Sequence, residues 1–315
     1  MSSSGKFRSC SEIARDVVVR QLQQIPNLIC LDSDTGLYNG VDFGSAADRF
    51  LNMGISEQTM MGAAAGLAQA EMRPIVHTMA AFAASRAVES VKIDIALNNL
   101  PVMIVATHGG VSAGHLGPTH HALEDLAVMR TLPNMTVIVP ADGRQTQDLV
   151  LQAMQNAGPT YIRLSKNSTP DLPRSAPTRL GDALTLRRGE DVAVFACGPR
   201  PTLAALDAAD ILHDKGIEVS VTEVHTIKPL DTSSVHAAAM QACGRVITVE
   251  EHWIYGGFGS AVIEALCTAI PVQARRIGVR DHFVHVAGNQ QYLLDLEGIN
   301  AATVVRNAEE LLNVH

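Results

Sequence analysis

Aromatic residues are scarce in this 315-residue chain, at 4% with a single Trp. Few rings are available to stack on bases, and a formal net charge of −8 repels a polyanion, so both features argue against a nucleic-acid partner. Long apolar runs are missing too. None approaches the roughly 18 residues that a membrane helix needs, which excludes a helical membrane protein. The segment Met1–Arg8 carries no apolar stretch of the kind that directs secretion. Cysteines at 10, 30, 197, 243 and 267 are odd in number, widely spaced and without a Cys-x-x-Cys. They fit neither a disulfide framework nor a zinc knuckle, and they suit a reducing cytoplasmic setting. With 47% hydrophobic and 18% charged residues, the composition is that of packed cores rather than of disordered segments.

Short apolar runs alternate with longer helical stretches. Ser9 and Glu12 have the spacing of a capping box and open a helix through about Gln24. Asn27–Leu31 reads as a strand ending at Asp32-Ser33-Asp34, followed by a polar stretch and a helix over Glu57–Ala70. Further strands are predicted at Pro74–Thr78, Pro101–Thr107, Met135–Val139 and Thr160–Leu164. The helices between them are predicted near 82–97, 123–131 and 143–156. Continuous Val/Ile-rich strands between helices indicate parallel sheet covered on both faces. Three prolines between Ser168 and Gly181 read as an exposed connector. A second α/β unit follows, with strands near 191–196, 217–224, 245–249 and 272–277. The expected architecture is two doubly wound α/β domains, at 1–170 and 186–315, joined by a linker at 171–185.

Several residues could carry chemistry. Glu57 stands in the first turn of its helix, where exposed N–H groups and the dipole favour a carboxylate by about 0.3–1 kcal/mol. That placement needs no function. The small residues behind it, Gly62-Ala63-Ala64-Ala65-Gly66, allow close packing, and a desolvated Glu points toward function. The loop 107–121 follows a strand and holds four glycines and four histidines, at 108, 115, 120 and 121. Loops beyond the carboxyl ends of parallel strands are where such sheets place ligands. A zinc site lacks the His spacing and a third ligand. Met79 and Phe82, three residues apart, read first as core. Arg163 and Lys166 put two cations at a strand end, either to bind an anion or to be solvated.

Taken together these segments resemble the C-terminal half of transketolase, specifically the small subunit of split transketolases. The resemblance covers nearly the whole chain. It is carried by Asn52–Gln58, Asn99-Leu100-Pro101-Val102, Gly117-Pro118-Thr119-His120, Glu124-Asp125-Leu126-Ala127 and Gly158–Leu164. In the second half it rests on His225–Asp231, Glu250-Glu251-His252 and Gly256–Ser260. It implies a pyrimidine-binding domain followed by a transketolase C-terminal domain, with thiamine diphosphate as cofactor. Glu57 would hydrogen-bond N1′ of the aminopyrimidine, Phe82 and Met79 would pack on that ring, and Asp34 would lie among the cofactor contacts. His120 matches a His that meets donor hydroxyls and assists proton transfer, and His108 a second His at the substrate channel. Lys166 falls where the family often has a phosphate-binding Arg, with Arg163 a neighbouring candidate.

The chain also departs from the family pattern. Transketolases usually carry Gly-Glu-Asp-Gly before Pro-Thr-His, the Asp recognising the acceptor's 2-hydroxyl; here the run is Gly114-His115-Leu116-Gly117. Leu116 therefore points to an atypical acceptor. Met79, Ser85 and His77 also differ from the usual residues. The Gly-Asp-Gly…Asn motif that holds diphosphate and Mg²⁺ or Ca²⁺ is absent. The resemblance thus implies half an enzyme, inert alone and completed by an N-terminal-type partner, most simply as an α₂β₂ assembly. The expected activity is transfer of a two-carbon ketol unit from a ketose-type donor to an aldehyde. The alternatives are a 2-oxo-acid dehydrogenase β subunit, an acyloin- or deoxyxylulose-type synthase, or a non-catalytic regulatory subunit.

Overall fold

Two sheets organise the chain, described here from a computed structural model over residues 8–173 and 177–313. The strands of the first are β1 (Leu28–Asp32), β2 (Phe50–Asn52), β3 (Arg73–Met79), β4 (Met103–Thr107), β5 (Thr136–Ile138) and β6 (Thr160–Arg163). The later strands are β7 (Leu184–Arg187), β8 (Val192–Cys197), β9 (Val219–Glu223), β10 (Thr226–Lys228), β11 (Arg245–Trp253) and β12 (Gln273–Val279). The first sheet runs β10-β5-β6-β4-β3-β1-β2 and the second β12-β11-β8-β9-β7. All neighbours are parallel except β10 against β5 and β7 against β9. β1, β4 and β6 are buried at every position, which is why they read as unbroken apolar runs rather than as alternating ones.

The N-terminal helix Cys10–Gln24 opens on the capping box seen in the sequence: Glu12 N–H donates to Ser9 Oγ at 3.2 Å, and Ser9 N–H to Glu12 Oε2 at 3.0 Å. The helix expected over 82–97 is broken into Ala80–Ala84, Val88–Ser90 and a π-helical turn at Val91–Ala96. Ser85 Oγ donates to the Ala81 carbonyl at 2.5 Å, and Ala87 N–H reaches back five residues to Phe82 at 3.1 Å. A hydroxyl bonded to its own helix competes with the ladder at that point. No helix of the described residues is long and apolar enough to cross a membrane.

The connector's prolines, Pro170, Pro173 and Pro177, are exposed, but the segment is not a free tether. Residues 174–176 lie outside the described residues, but their flanks are pinned to the helix Gly143–Ala153 and its N-cap. Leu172 is buried and its N–H donates to Asp142 Oδ2 at 2.7 Å. Beyond it, Thr178 N–H donates to Asp148 at 2.9 Å and Leu180 N–H to Gln152 at 2.9 Å. Side-chain acceptors on one helix face thus replace the sheet partners that a Pro-broken segment cannot have.

β10 crosses from the C-terminal half to the edge of the first sheet, pairing Thr226 with Ile138. Lys228 fastens it, its Nζ donating to Arg130 O at 3.0 Å and to Leu132 O. Trp253 N–H donates to Leu123 O at 2.9 Å, and Val139 N–H to His225 O at 2.7 Å. The two halves are therefore continuous in backbone hydrogen bonding. The apolar cluster that fills the first sheet's face extends into Phe195, Val246 and Phe258 of the second half.

Candidate active site

The residues picked out in the sequence converge on the carboxyl ends of β1, β3, β4 and β6. β1 ends at Asp32, β2 carries Asn52, and the turn after it is drawn tight. Gly54 has φ +66°, its N–H donates to Asn52 Oδ1 at 2.9 Å, and Ser56 Oγ donates to Met53 O at 2.6 Å. This turn delivers Glu57 to the first position of the helix Glu57–Gln69. Met60, Met61, Ala64 and Ala65 pack that helix onto the sheet, so its start is desolvated and Glu57 is only 1% exposed. Burial of a carboxylate is unfavourable without a partner. The partner is Arg86, half-exposed, whose Nη1 donates to Glu57 Oε2 at 2.8 Å. Glu57 Oε1 has no hydrogen bond among the described residues.

Arg86 was not singled out by sequence reasoning. The signal was present: it stands four residues after Phe82, the spacing that places two helical side chains together. Its guanidinium lies 4.6 Å from the Phe82 ring centroid, a cation–π contact. Phe82 in turn meets His120 edge-on at 5.4 Å between ring centroids. Glu57, Arg86, Phe82 and His120 thus form one continuous wall. Met79, partly buried, ends β3 immediately before this helix. Asp34 is in a left-handed conformation (φ +60°), and its Oδ1 accepts from Asn52 Nδ2 at 3.1 Å.

The His-rich loop is closed at its base by a two-residue bridge, Gly110 N–H to Ala122 O at 3.1 Å and Ala122 N–H to Gly110 O at 2.8 Å. His108 sits at the end of β4 with φ +59°, a conformation that non-glycine residues seldom adopt. Strain of this kind gathers where the surroundings hold a side chain for a purpose. Burial above all, and then the charges of Lys166, His77, His115 and His120, hold the His108 imidazole down to about 4. It is therefore neutral at neutral pH. His108 and Lys166 together line a cavity of about 590 Å³ that also borders Thr35, Gly36 and the start of the N-terminal helix. Leu116 sits on the loop's outer turn, 44% exposed.

Arg163 is not among them. It is 5% exposed and turned inward: Nε lies 3.3 Å from Asp125 Oδ2, and Nη2 donates to Glu251 O at 2.6 Å and to Ala122 O at 3.2 Å. Its Nε and Nη2 are thus engaged between the two halves, and among the described residues it joins Asp125 of the first to the Glu251 backbone of the second. The companion cation, Lys166, remains exposed and makes no ion pair or hydrogen bond among the described residues. His77, in β3, is fully buried, 3.6 Å from Asp32 Oδ1, with the Tyr38 ring edge-on to it. Neither of its ring nitrogens has a hydrogen-bond partner among the described residues. Among the described residues no three His, Cys, Asp or Glu side chains are grouped to hold a metal ion.

The family follows from comparison with known proteins. Residues 9–171 match the transketolase pyrimidine-binding domain and residues 181–304 the transketolase C-terminal domain. The chain belongs to the transketolase family, whose members depend on thiamine diphosphate. It is 36% identical over 300 residues to one of the subunits of an apulose-4-phosphate transketolase from Phocaeicola vulgatus, covering 92% of this chain and 95% of that one. A 6-deoxy-6-sulfo-D-fructose transketolase subunit from Clostridium sp. (strain MSTE9) is 36% identical over 299 residues, 94% of this chain and 92% of its own. Among solved structures, a split-gene transketolase described as an inactive β4 tetramer superposes with a TM-score of 0.87 at 37% identity, covering 98% of this chain and 99% of its own.

Proposed function

We propose that this chain is the C-terminal-type subunit of a split transketolase, moving a two-carbon ketol unit from a ketose-type donor to an aldehyde. The observation that carries the reading is Glu57, a desolvated carboxylate with one oxygen on Arg86 and the other unengaged. An aminopyrimidine suits that carboxylate, because its ring nitrogen needs one buried acceptor or acid and its faces need apolar cover. Glu57 would hold the proton at that nitrogen, and Phe82 and Met79 would supply the cover. When bound, thiamine diphosphate supplies the electron sink for breaking and forming carbon–carbon bonds. His120, on the same wall, would hydrogen-bond donor hydroxyls and move their protons. His108, neutral at neutral pH, can donate and accept at a second hydroxyl. Lys166 would meet an anionic group at the far end of the substrate.

The diphosphate and its Mg²⁺ or Ca²⁺ belong, on this reading, to a partner chain carrying the motif that this sequence lacks, most simply in an α₂β₂ assembly. The identity to subunits of split enzymes over nearly their full length supports it. Leu116 favours an acceptor that offers no 2-hydroxyl at that point, since facing one unpartnered would forfeit about 1–3 kcal/mol. The test is Glu57→Ala in the complex reconstituted with its diphosphate-binding partner. Turnover should vanish while assembly, read by sedimentation, stays intact. Retained turnover would refute the role of Glu57, and turnover by this chain alone would refute the half-enzyme reading.

A further inference from the structure

A second cavity, of about 510 Å³, opens at the junction of the two halves, behind Lys166. One side is the His-rich loop at Ser112–His115. The other is built from the C-terminal half, by Arg200 and the turn at Gly288–Gln291. Three side chains that carry or can carry positive charge, His115, Lys166 and Arg200, line it, and no Asp or Glu does. In a chain with 32 acidic residues and a net charge of −8, that is a local reversal of sign. Like charges lining one cavity repel one another, the Glu251 carboxylate behind the wall offsets Arg200 only in part, and a bound anion relieves the rest.

The cavity has a fixed wall. Gln290 is buried, donates to both Glu251 oxygens at 2.9 Å, and accepts from Asn167 Nδ2 at 2.7 Å. Glu251 also accepts from Val111 N–H at 2.8 Å, so its oxygens are engaged by Gln290 and Val111 and it acts on Arg200 only through its charge. Gly288 N–H donates to Gly114 O at 3.2 Å, holding the loop against the C-terminal half. Arg200 stands at the second position of the helix Pro199–His213, whose N-cap is Gly198 and supplies no side-chain acceptor. Its one hydrogen bond among the described residues is a long one, Nη2 to Ser168 O at 3.5 Å. Its Nε is buried and has no hydrogen-bond partner among the described residues. A guanidinium with its fork unfilled is the group best shaped for a tetrahedral oxyanion.

We propose that this junction cavity is a phosphate-class anion site, adjoining the cavity at His108 and sharing with it the wall Lys166-Asn167-Ser168. Arg200 grips the anion through two N–H groups, while His115 and Lys166 close the mouth. The site is formed by this chain alone, so its occupancy does not depend on the catalytic reading above. Two sources share the chemistry: the distal phosphate of a long substrate, or a free phosphorylated metabolite acting as an effector.

Inorganic phosphate titrated calorimetrically into the purified full chain tests this. One site is expected, weakened by about tenfold or more in Arg200→Gln, with the fold checked by circular dichroism. His115→Gln, on an exposed turn, should weaken it by a smaller factor and serves should Arg200→Gln not fold. Absence of binding in the wild type overturns the proposal. So does binding that both substitutions leave unchanged, because phosphate would then sit at the His108 cavity. In the reconstituted enzyme, a KM raised by Arg200→Gln for a phosphorylated acceptor but not for its unphosphorylated analogue assigns the site to substrate. Unchanged KM values, with a phosphate effect on rate that Arg200→Gln abolishes, assign it to an effector.

Discussion

Replacing Arg163 with Met removes a guanidinium from the seam between the two halves and leaves Asp125 behind. Asp125 is fully buried. Among the described residues its Oδ1 has no hydrogen-bond partner, and Oδ2 would keep only the Tyr161 hydroxyl at 2.8 Å. Glu251 O would lose its donor from Nη2, whereas Ala122 O keeps the Gly110 N–H. Stripping one member from a buried ion pair destabilises by about 3–5 kcal/mol, because the remaining charge is desolvated and uncompensated. That is a large share of the roughly 5–15 kcal/mol that holds a typical protein folded. Urea denaturation of the chain should show the midpoint falling accordingly. Arg163→Met combined with Asp125→Leu should recover most of the loss, since exchanging both partners for apolar groups removes the stranded charge. In the reconstituted enzyme the KM for a phosphorylated substrate should stay unchanged by Arg163→Met. A loss of under about 1 kcal/mol together with a raised KM would refute this and return Arg163 to the substrate.

Gly110→Ala places a Cβ at φ +64° against the Glu251 carboxyl. It should lower stability by about 1–3 kcal/mol, read as the thermal midpoint, and a neutral substitution would mean the loop relaxes freely. Leu116→Asp should raise kcat/KM for 2-hydroxyaldehyde acceptors by a factor matching about 1–3 kcal/mol; an unchanged acceptor profile would remove Leu116 from specificity. Burial, ahead of any charge, holds His108 and His252 down to about 4, whereas it pushes Glu250 up to about 7. The histidines take up protons near pH 6.5 only when unfolded, so they withdraw stability as pH falls from about 6.5 to about 4. Glu250 acts in the opposite sense: its contribution is full below about pH 4.5 and is lost as pH rises through about 7. Glu250→Gln should therefore steepen the loss of stability on acidification, and an unaltered slope would contradict the assignment.

Much of the fold could be read from residue order because its strands are buried on both faces. β1, β3, β4, β5, β6, β8, β9 and β11 all fall within or beside the apolar runs that announced them, and β12, an edge strand exposed over its first half, overlaps the run predicted near 272–277. The missed strands are short or sit at sheet edges, where one row of backbone groups goes unpaired and the apolar signal thins: β2, β7 and β10. β10 could not be foreseen at all, since its partner lies some ninety residues earlier and nothing local records that pairing. The same limit applied at the site. Glu57, His108 and Lys166 stood out by local motif, whereas the inward turn of Arg163 depends on Asp125 and on the Glu251 backbone, which only the folded chain brings together. Arg200 carried no local signal, because its neighbours in space come from three separate segments.

The exchange of β10 separates two kinds of boundary that usually coincide. Read along the chain, the halves part at the proline-bearing connector; read in hydrogen bonds, the first half is not finished until Lys228. A fragment ended at the connector would carry β5 as a bare edge, open to pairing with another copy of itself. The halves are thus modular in sequence and inseparable in folding. Recombination that treats the connector as a joint would inherit a domain with its last strand left in the other parent.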